Sequence, residues 1–312
     1  MIQVVNSQEL TKPSTKPTDF LLKGLVQGKI GILYAVPDIG KSHFVMSLAL
    51  ECATGQRIIG LSAKKEGESV PVLLISSEDE QSIVAERYKR KLNDLKKGKN
   101  RLNTHLDFIF DLNPISIPKR SSSAERAQHK LYLEELAAVF SKYKLVIIDT
   151  VTESIGEASE TEDERSIKND FQFLAKKSGA SILLVHHVNK DVIRGDSKMN
   201  MASGAGLTSL MRHSKYQIGL TKHEKDADLR EIIFLKANYL EAEDKQPISL
   251  MWTPNATLVS EQLTAEHRRK GASLKFEDDL YEADKRSIEI EGTKQEDNPD
   301  SDIDNDDFRS VL

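Results

Sequence analysis

Residues 31–42, which read GILYAVPDIGKS, have the pattern of a buried strand that runs into a tight loop and then into a helix. Loops of this kind bind phosphates, because their backbone N–H groups and the N-terminus of the helix surround the anion. Lys41 would reach the β- and γ-phosphates, and the Ser42 hydroxyl would ligate Mg²⁺. The stretch therefore predicts a protein that binds a nucleoside triphosphate together with Mg²⁺.

The loop departs from the usual phosphate-binding pattern at three positions. Ala35 stands in place of the first glycine, Pro37 removes one N–H donor, and Asp38 brings a negative charge near the anion. We nevertheless predict that eight consecutive residues bind the nucleotide: Val36, Pro37, Asp38, Ile39, Gly40, Lys41, Ser42 and His43.

The charge of the chain separates a body from a tail. The 312 residues have a net charge of −5, but the 14 acidic and 4 basic residues from Phe276 to Leu312 give that segment −10, so the preceding residues carry +5. The tail has too few apolar residues to fold alone and is predicted to be disordered, either as a solvating tail or as a docking peptide. We predict a flexible arm over 1–19, a folded domain over 20–258 and an extension over 259–312.

Two sequence features limit the class of protein. The single cysteine, Cys52, excludes an intramolecular disulfide and the common thiolate frameworks for zinc. The chain does not open with a cationic stretch followed by an apolar run, and no apolar segment approaches the ~20 residues that span a bilayer. We therefore predict a cytoplasmic protein with no membrane partner.

Strand and helix patterns alternate along the chain, which predicts an α/β fold with a mostly parallel sheet covered by helices. The predicted strands are 30–34, 70–76, 106–110, 145–148 and 181–185, and the predicted helices are 41–53, 80–95 and the segments around 133–140 and 167–175. The apolar run 145–148 is typical of a strand buried on both faces. Three further strands, 215–220, 231–237 and 248–252, are predicted to be joined by hairpins.

Polar residues follow three of these strands at their carboxyl ends, where open α/β sheets bind their ligands. Glu78, Asp149 and the pair His186–His187 are the candidates. Hydrolysis of ATP needs a carboxylate on the metal side, a carboxylate that positions the attacking water, and a group that senses the γ-phosphate. We predict Asp149 for the first role, Glu78 for the second and one histidine for the third.

Each of these residues also has a structural alternative. Glu78 could simply open a helix, where acidic residues are favoured, and Asp149 could cap one. Adjacent residues of a strand point to opposite faces, so His186 and His187 are not expected to share a metal ion. One of them is expected to face the nucleotide, and the other to pack or cap.

Five segments occur in a characteristic order. They are the loop 35–42, Ser77-Glu78-Asp79, Val146-Ile147-Ile148-Asp149-Thr150, Leu184-Val185-His186-His187 and Lys236-Ala237-Asn238-Tyr239. This ordered set resembles the RepA-like plasmid replicative helicases, which are RecA-fold P-loop ATPases of the AAA_25 type. The resemblance covers about residues 21–252, and members of that family also lack the first loop glycine.

The resemblance implies a homo-oligomeric ring, commonly a hexamer, with ATP between subunits and single-stranded DNA in the centre. It implies that Lys41 and Ser42 bind the nucleotide and that Glu78 is the catalytic carboxylate. It also implies that Asp149 lies on the Mg²⁺ side and acts through water, and that His187 senses the γ-phosphate.

The position of the family's arginine finger is occupied by Lys215 in this chain. A lysine lacks the planar fork of arginine, so we expect weaker stabilisation of the transition state in trans, or Arg212 in that role instead. Lys236 is a second cation that could reach the nucleotide of a neighbouring subunit.

The segment 188–206 is basic, contains glycine and follows the strand that ends at the predicted nucleotide edge. We predict that Lys190, Arg194 and Lys198 line a central pore and contact the DNA backbone. The segment has no aromatic residue, so stacking on bases is not supported. The alternative is a solvated surface loop.

These observations predict a ring-forming ATPase that translocates on single-stranded DNA and unwinds duplex in the replication of a plasmid or mobile element, with a replication partner on its acidic tail. One alternative is a recombinase-like or regulatory DNA-dependent ATPase that does not unwind. Another, motivated by Pro37, Asp38 and Lys215, is an ATP-binding interaction module with little hydrolysis.

Overall fold

The computed structural model describes residues 4–12, 17–95, 99–194, 198–204 and 206–264. Its helices are α1 (Ser7–Leu10), α2 (Lys41–Thr54), α3 (Gln81–Leu92), α4 (Leu102–His105), α5 (Ser123–Phe140), α6 (Val151–Ser154), α7 (Glu164–Ser178), α8 (Lys190–Arg194) and α9 (Thr208–His213). Its strands are β1 (Phe20–Leu22), β2 (Leu25–Val26), β3 (Ile30–Ala35), β4 (Val72–Ser76), β5 (Leu106–Ile109), β6 (Leu145–Asp149), β7 (Ser181–His187), β8 (Tyr216–Lys222), β9 (Arg230–Ala237), β10 (Ile248–Trp252) and β11 (Leu258–Ser260).

A nine-stranded sheet in the order β11-β10-β9-β8-β3-β7-β6-β4-β5 forms the centre of the domain. The strands from β8 to β5 pair in parallel, and β9, β10 and β11 add to β8 as antiparallel strands. Parallel pairing requires crossover connections, which α2, α3, α5 and α7 provide. The predicted α/β fold, with a mostly parallel sheet and antiparallel C-terminal strands, is confirmed.

The sheet is covered on both faces by apolar side chains. One cluster packs α2, through Phe44 and Leu48, against one face, and the other packs α5 and α7, through Leu136 and Phe171, against the opposite face. All five residues of β6 are buried, as expected for a strand without a solvent-exposed face. This packing holds β3, β6 and β7 rigidly and fixes the positions of the residues at their carboxyl ends.

The structure also contains elements that the sequence pattern did not indicate. The ribbon β1–β2 and the strand β11 have two or three residues each, too few to show an alternation. The helix α8 lies within the predicted loop 188–206. Strand β4 begins at Val72 instead of residue 70, because Pro71 has no N–H to donate to a ladder. The predicted disordered tail lies outside the described residues.

The last strand, β11, begins at residue 258, the last residue of the predicted domain, and continues to residue 260, and α1 lies within the predicted arm 1–19. The boundaries of arm, domain and extension stay predictions. Within the residues that the structure describes, no helix is both long and apolar enough to cross a membrane.

Candidate nucleotide site

The phosphate-binding loop predicted at residues 35–42 runs from the end of β3 through residues 36–40 into the start of α2, at the carboxyl edge of the parallel strands. Gly40 has a φ of 95°, in the left-handed region that favours glycine. A Cβ atom at Gly40 would lie 2.6 Å from Cη2 of Trp252, so a larger residue would also meet that ring. Asp38 has a φ of 58° as well, which an aspartate tolerates better than most residues. Two unusual backbone conformations therefore shape this short loop.

Lys41 connects the phosphate loop to the two predicted carboxylates, Glu78 and Asp149. Its Nζ lies 2.8 Å from Oε2 of Glu78 and 3.3 Å from Oδ1 of Asp149. These carboxylates stand at the ends of β4 and β6, which are neighbours in the sheet. The order of the strands thus brings together the loop and both predicted carboxylates.

Glu78 is held by three side chains from three different elements. Besides Lys41, its Oε1 accepts a hydrogen bond of 2.9 Å from the Thr150 hydroxyl and lies 3.1 Å from Nε2 of His187. The hydrogen bond to His187, together with those to Lys41 and Thr150, lowers the pKa of Glu78 to about 2. The carboxylate is therefore ionised at neutral pH and can orient a water molecule.

Asp149 is the buried carboxylate of the site. Burial raises its pKa, although the charge of Lys41 and the Ser42 side chain oppose that shift. Among the described residues, its Oδ1 atom has no hydrogen-bond partner. The Nζ of Lys41 is near enough for an ion pair but does not meet hydrogen-bond geometry. A buried carboxylate whose Oδ1 accepts no hydrogen bond, beside the Ser42 hydroxyl, fits the side of the site predicted for Mg²⁺.

The two histidines at the end of β7 point to opposite faces, as alternation along a strand requires. His187 faces Glu78, whereas His186 is buried with its ring centroid 6.3 Å from that of Tyr34. Nε2 of His186 lies 3.6 Å from the Glu160 carboxylate. His187 is thus the histidine beside the loop. Among the described residues, no three His, Cys, Asp or Glu side chains lie close enough together to hold a metal ion.

A cavity of about 300 Å³ opens above the loop. Its lining consists of Val36, Pro37, Asp38, Gly40, Lys41, Ser42, His43, Glu78, Arg87 and His187. All of these were predicted from the sequence except Arg87, which pairs with Asp79 at 2.7 Å. Ile39 is not part of the lining because its side chain is fully buried. A second cavity of about 220 Å³ shares His43 and Arg87 with the first and extends to Asn255.

The predicted finger residues lie at the other edge of the sheet. Lys215 precedes β8 and Lys236 lies near the end of the antiparallel β9, so both are at the amino edge of the parallel strands. Lys236 donates a hydrogen bond of 3.1 Å to the carbonyl of Arg212, and burial and the charge of Lys215 lower its pKa. Burial and nearby lysines, Lys168 first, also lower the pKa of His213. The structure therefore gathers the predicted cations away from this chain's own phosphate loop.

The predicted DNA-contacting residues lie beyond β7. Lys190 begins α8, and Arg194 ends it with an exposed side chain. Lys198 pairs with Glu224 at 2.8 Å, and both side chains are largely exposed. The basic segment thus begins three residues after His187, but one of its three cations has an acidic partner that the sequence did not indicate.

Comparison with known proteins identifies the family. The model of the AAA_25 family, described as an AAA domain, matches residues 3–192, more than half of the chain. The chain belongs to the AAA_25 family. It is an AAA-type P-loop ATPase with a RecA-like fold, and ATPases of this type bind ATP with Mg²⁺.

Two solved structures resemble this AAA_25 protein at low identity. One is a DnaB-like replicative helicase, described together with its interactions with primase. It is 12% identical to this chain with a TM-score of 0.53, and the match covers 75% of this chain and 57% of the helicase chain. The RadB recombinase is 13% identical with a TM-score of 0.46, over 74% of this chain and 90% of that one. The chain thus spans little more than half of the helicase, and that likeness concerns the fold alone.

Proposed function

We propose that this AAA_25 protein binds Mg²⁺ and ATP and hydrolyses ATP in a ring of identical subunits, which translocates on single-stranded DNA and unwinds duplex during replication of a plasmid or mobile element in the cytoplasm. The observation that carries the proposal is the separation of the site into halves. The phosphate loop and its carboxylates lie at one edge of the sheet, and Arg212, Lys215 and Lys236 lie at the other. In a head-to-tail ring, each loop meets the cations of its neighbour.

The residues around the loop suit a bound nucleotide. Backbone N–H groups of the loop and the start of α2 bind phosphate oxygens, and Lys41 exchanges its carboxylate partners for the β- and γ-phosphates. Ser42 and Asp149 hold the metal side, Asp149 through water, and Mg²⁺ when bound neutralises charge on these phosphates. The adjoining cavity with His43 and Asn255 provides space for the base and ribose.

The chemistry then needs a nucleophile and charge stabilisation. Glu78, ionised and directed by Thr150 and His187, orients the attacking water and accepts its proton. His187 is the proposed sensor of the γ-phosphate. Its position at the end of β7, in contact with the carboxylate that orients the water, supports this role. Lys215 or Arg212 from the next subunit stabilises the charge of the transition state, with Lys236 beside them.

Movement on DNA depends on the segment after His187. Its cations Lys190, Arg194 and Lys198 contact the phosphate backbone, and its position three residues beyond the sensor links the state of the nucleotide to that contact. The pairing of Lys198 with Glu224 would have to exchange for a phosphate. The acidic tail after residue 276 offers a site for a replication partner.

The proposal is tested by native mass measurement with and without ATP and single-stranded DNA, together with ATPase and strand-displacement assays. We expect a ring that forms with nucleotide, ATPase activity stimulated by DNA, and displacement of an annealed strand. DNA-stimulated turnover without displacement would instead favour the recombinase-like or regulatory ATPase. A protein that stays monomeric with nucleotide, and whose ATP turnover does not change with DNA, would overturn the ring and the helicase role. Binding of ATP with scarcely any hydrolysis would favour the interaction module.

A further inference from the structure

The C-terminal strands β9 and β10 contact the phosphate loop, and the turn between β10 and β11 contacts the start of α2. Nε of Arg230 donates a hydrogen bond of 3.0 Å to the carbonyl of Ile39. The ring of Trp252 lies against Gly40. Nδ1 of His43 lies 2.9 Å from the carbonyl oxygen of Ala256. Residues far along the chain thus contact the loop and the start of the helix that follows it.

Among the described residues, the hydrogen bonds of the Arg230 side chain all go to backbone carbonyls. Its Nη1 donates to the carbonyls of Ala227 and Leu229, at 2.9 and 3.0 Å, and its guanidinium lies 5.9 Å from the ring centroid of Trp252. No carboxylate pairs with it among the described residues. Its charge is therefore directed at carbonyl dipoles, one of which belongs to the phosphate loop.

The bond to Ile39 has a consequence for the next N–H group. In a trans peptide the C=O and N–H groups point in opposite directions. Because Arg230 holds the Ile39 carbonyl, the N–H of Gly40 in the same peptide points away from Arg230. The Ile39 side chain is fully buried, and the hydrogen bond from Arg230 to its carbonyl adds a restraint on the orientation of the Ile39–Gly40 peptide.

We propose that Arg230 is a positioning residue for nucleotide binding: it sets the Ile39–Gly40 peptide so that the Gly40 N–H faces the bound phosphate. The inference rests on the proposed function only in that the loop binds a nucleotide. It assigns Arg230 a role in affinity, because a loop whose N–H groups are already aligned loses less freedom when the anion arrives. Trp252 contacts Gly40 of the same peptide and lies next to the Arg230 guanidinium.

The test compares Arg230→Met and Arg230→Lys with Arg57→Met in the full chain. Arg57 is a matched control because it also donates to backbone carbonyls, those of Ser62 and Lys64, without contacting the phosphate loop. Affinity for MgADP is measured with a fluorescent ADP analogue, melting temperature by circular dichroism, and kcat and KM for ATP by turnover.

We expect R230M to raise the Kd for MgADP and the KM for ATP about tenfold while kcat stays within about twofold, since the arginine acts on the loop and not on the reacting atoms. R230K keeps one charged donor and should raise Kd only about threefold. R57M should lower the melting temperature without changing Kd.

Unchanged affinity in R230M, or an equal loss of affinity in R57M, would overturn the positioning role. If R230M does not fold, R230K decides the question, and parental affinity in that variant overturns the role. A parent that binds MgADP without DNA-dependent turnover contradicts the proposed function but leaves this role standing. A parent that does not bind MgADP overturns both.

Discussion

Lys41 and Glu78 form an ion pair of 2.8 Å, so the cation predicted for the phosphates is joined to the carboxylate predicted for catalysis. The pair is not isolated, because Asp149 lies 3.3 Å from the same nitrogen. Two carboxylates therefore compete with the phosphates for one lysine. Binding of ATP must exchange these partners, which leaves Glu78 with Thr150 and His187 and free to direct a water molecule.

This competition gives a prediction for Glu78→Gln. Glutamine cannot accept the proton of the water, so we expect turnover of ATP to fall by about 10²- to 10⁴-fold. Affinity for ATP should stay the same or rise, because Lys41 loses its closest anionic competitor. Single-turnover hydrolysis and equilibrium binding measure the two effects, with Glu80→Gln as the control on the neighbouring helix end. Turnover within about twofold of the parent would exclude Glu78 as the catalytic carboxylate.

Gly40→Ala tests the shape of the loop, and Gly179→Ala is its matched control. Both glycines have positive φ, 95° and 72°, but a Cβ at Gly179 meets nothing within 4 Å, whereas one at Gly40 meets Trp252 at 2.6 Å. The control should lose about 1 kcal/mol of unfolding free energy from backbone strain alone. The loss in G40A should exceed that by about 1–3 kcal/mol because of the contact with the ring. Equal losses in urea unfolding would contradict the contact.

The parts of the fold and site that the sequence predicts are those set by local pattern. Buried strands with polar residues at their carboxyl ends placed Glu78, Asp149 and the pair His186–His187 at the same edge, and β4, β6 and β7 do end there. The order of adjacent strands then brought Glu78 within 3.1 Å of His187 and both carboxylates within 3.3 Å of Lys41.

Contacts that depend on distant strands were not predictable in this way. Arg230 lies 191 positions from its partner Ile39, and nothing near either residue in the sequence indicates the contact. Trp252 and Arg87 were missed for the same reason, since their positions follow from how β10 and α3 pack beside the loop. The partner of Lys198, Glu224, lies in the turn between β8 and β9, and nothing in the sequence near either residue indicates the pair.

Lys91 predicts a pH dependence of stability. Its side chain is fully buried and donates to the carbonyl of Ala256, and burial, with the charge of Arg87, lowers its pKa to about 7 while Asp94 opposes the shift. Below pH 7 both the folded and the unfolded chain carry the proton, so the penalty of the buried charge is constant. Between pH 7 and about 10 the unfolded chain holds a proton that the folded chain has released, which stabilises the fold as pH rises.

The measurement compares the parent with Lys91→Met by urea unfolding from pH 6 to pH 10. The unfolding free energy of the parent should rise relative to K91M by up to about 1.4 kcal/mol per pH unit above pH 7. Lys89→Met, on the exposed face of the same helix, is the control and should show no such slope relative to the parent. A difference between parent and K91M that does not vary with pH would show that the buried amine does not titrate in this range.

The division of the site between two edges of the sheet predicts complementation between inactive variants. Lys41→Ala removes the cation of the loop, and Lys215→Ala removes one of the cations at the opposite edge. Each variant alone should lose most of its DNA-stimulated ATPase activity. When the two are mixed before the ring assembles, a K215A subunit supplies an intact loop and a K41A neighbour supplies the missing lysine. Random assembly makes about a quarter of the interfaces complete, so the mixture should regain up to about that fraction of parental turnover.

The control for this recovery is a mixture of K41A with the double variant K41A/K215A, which has no intact loop in any subunit and should stay inactive. Native mass measurement checks that the mixed rings form, so that inactivity cannot reflect failed assembly. If the K41A and K215A mixture forms rings and remains as inactive as its components, Lys215 does not act on a neighbour's nucleotide. Repeating the mixture with Arg212→Ala or Lys236→Met in place of K215A then assigns the role among the three cations, because only a residue that reaches across the interface can be complemented.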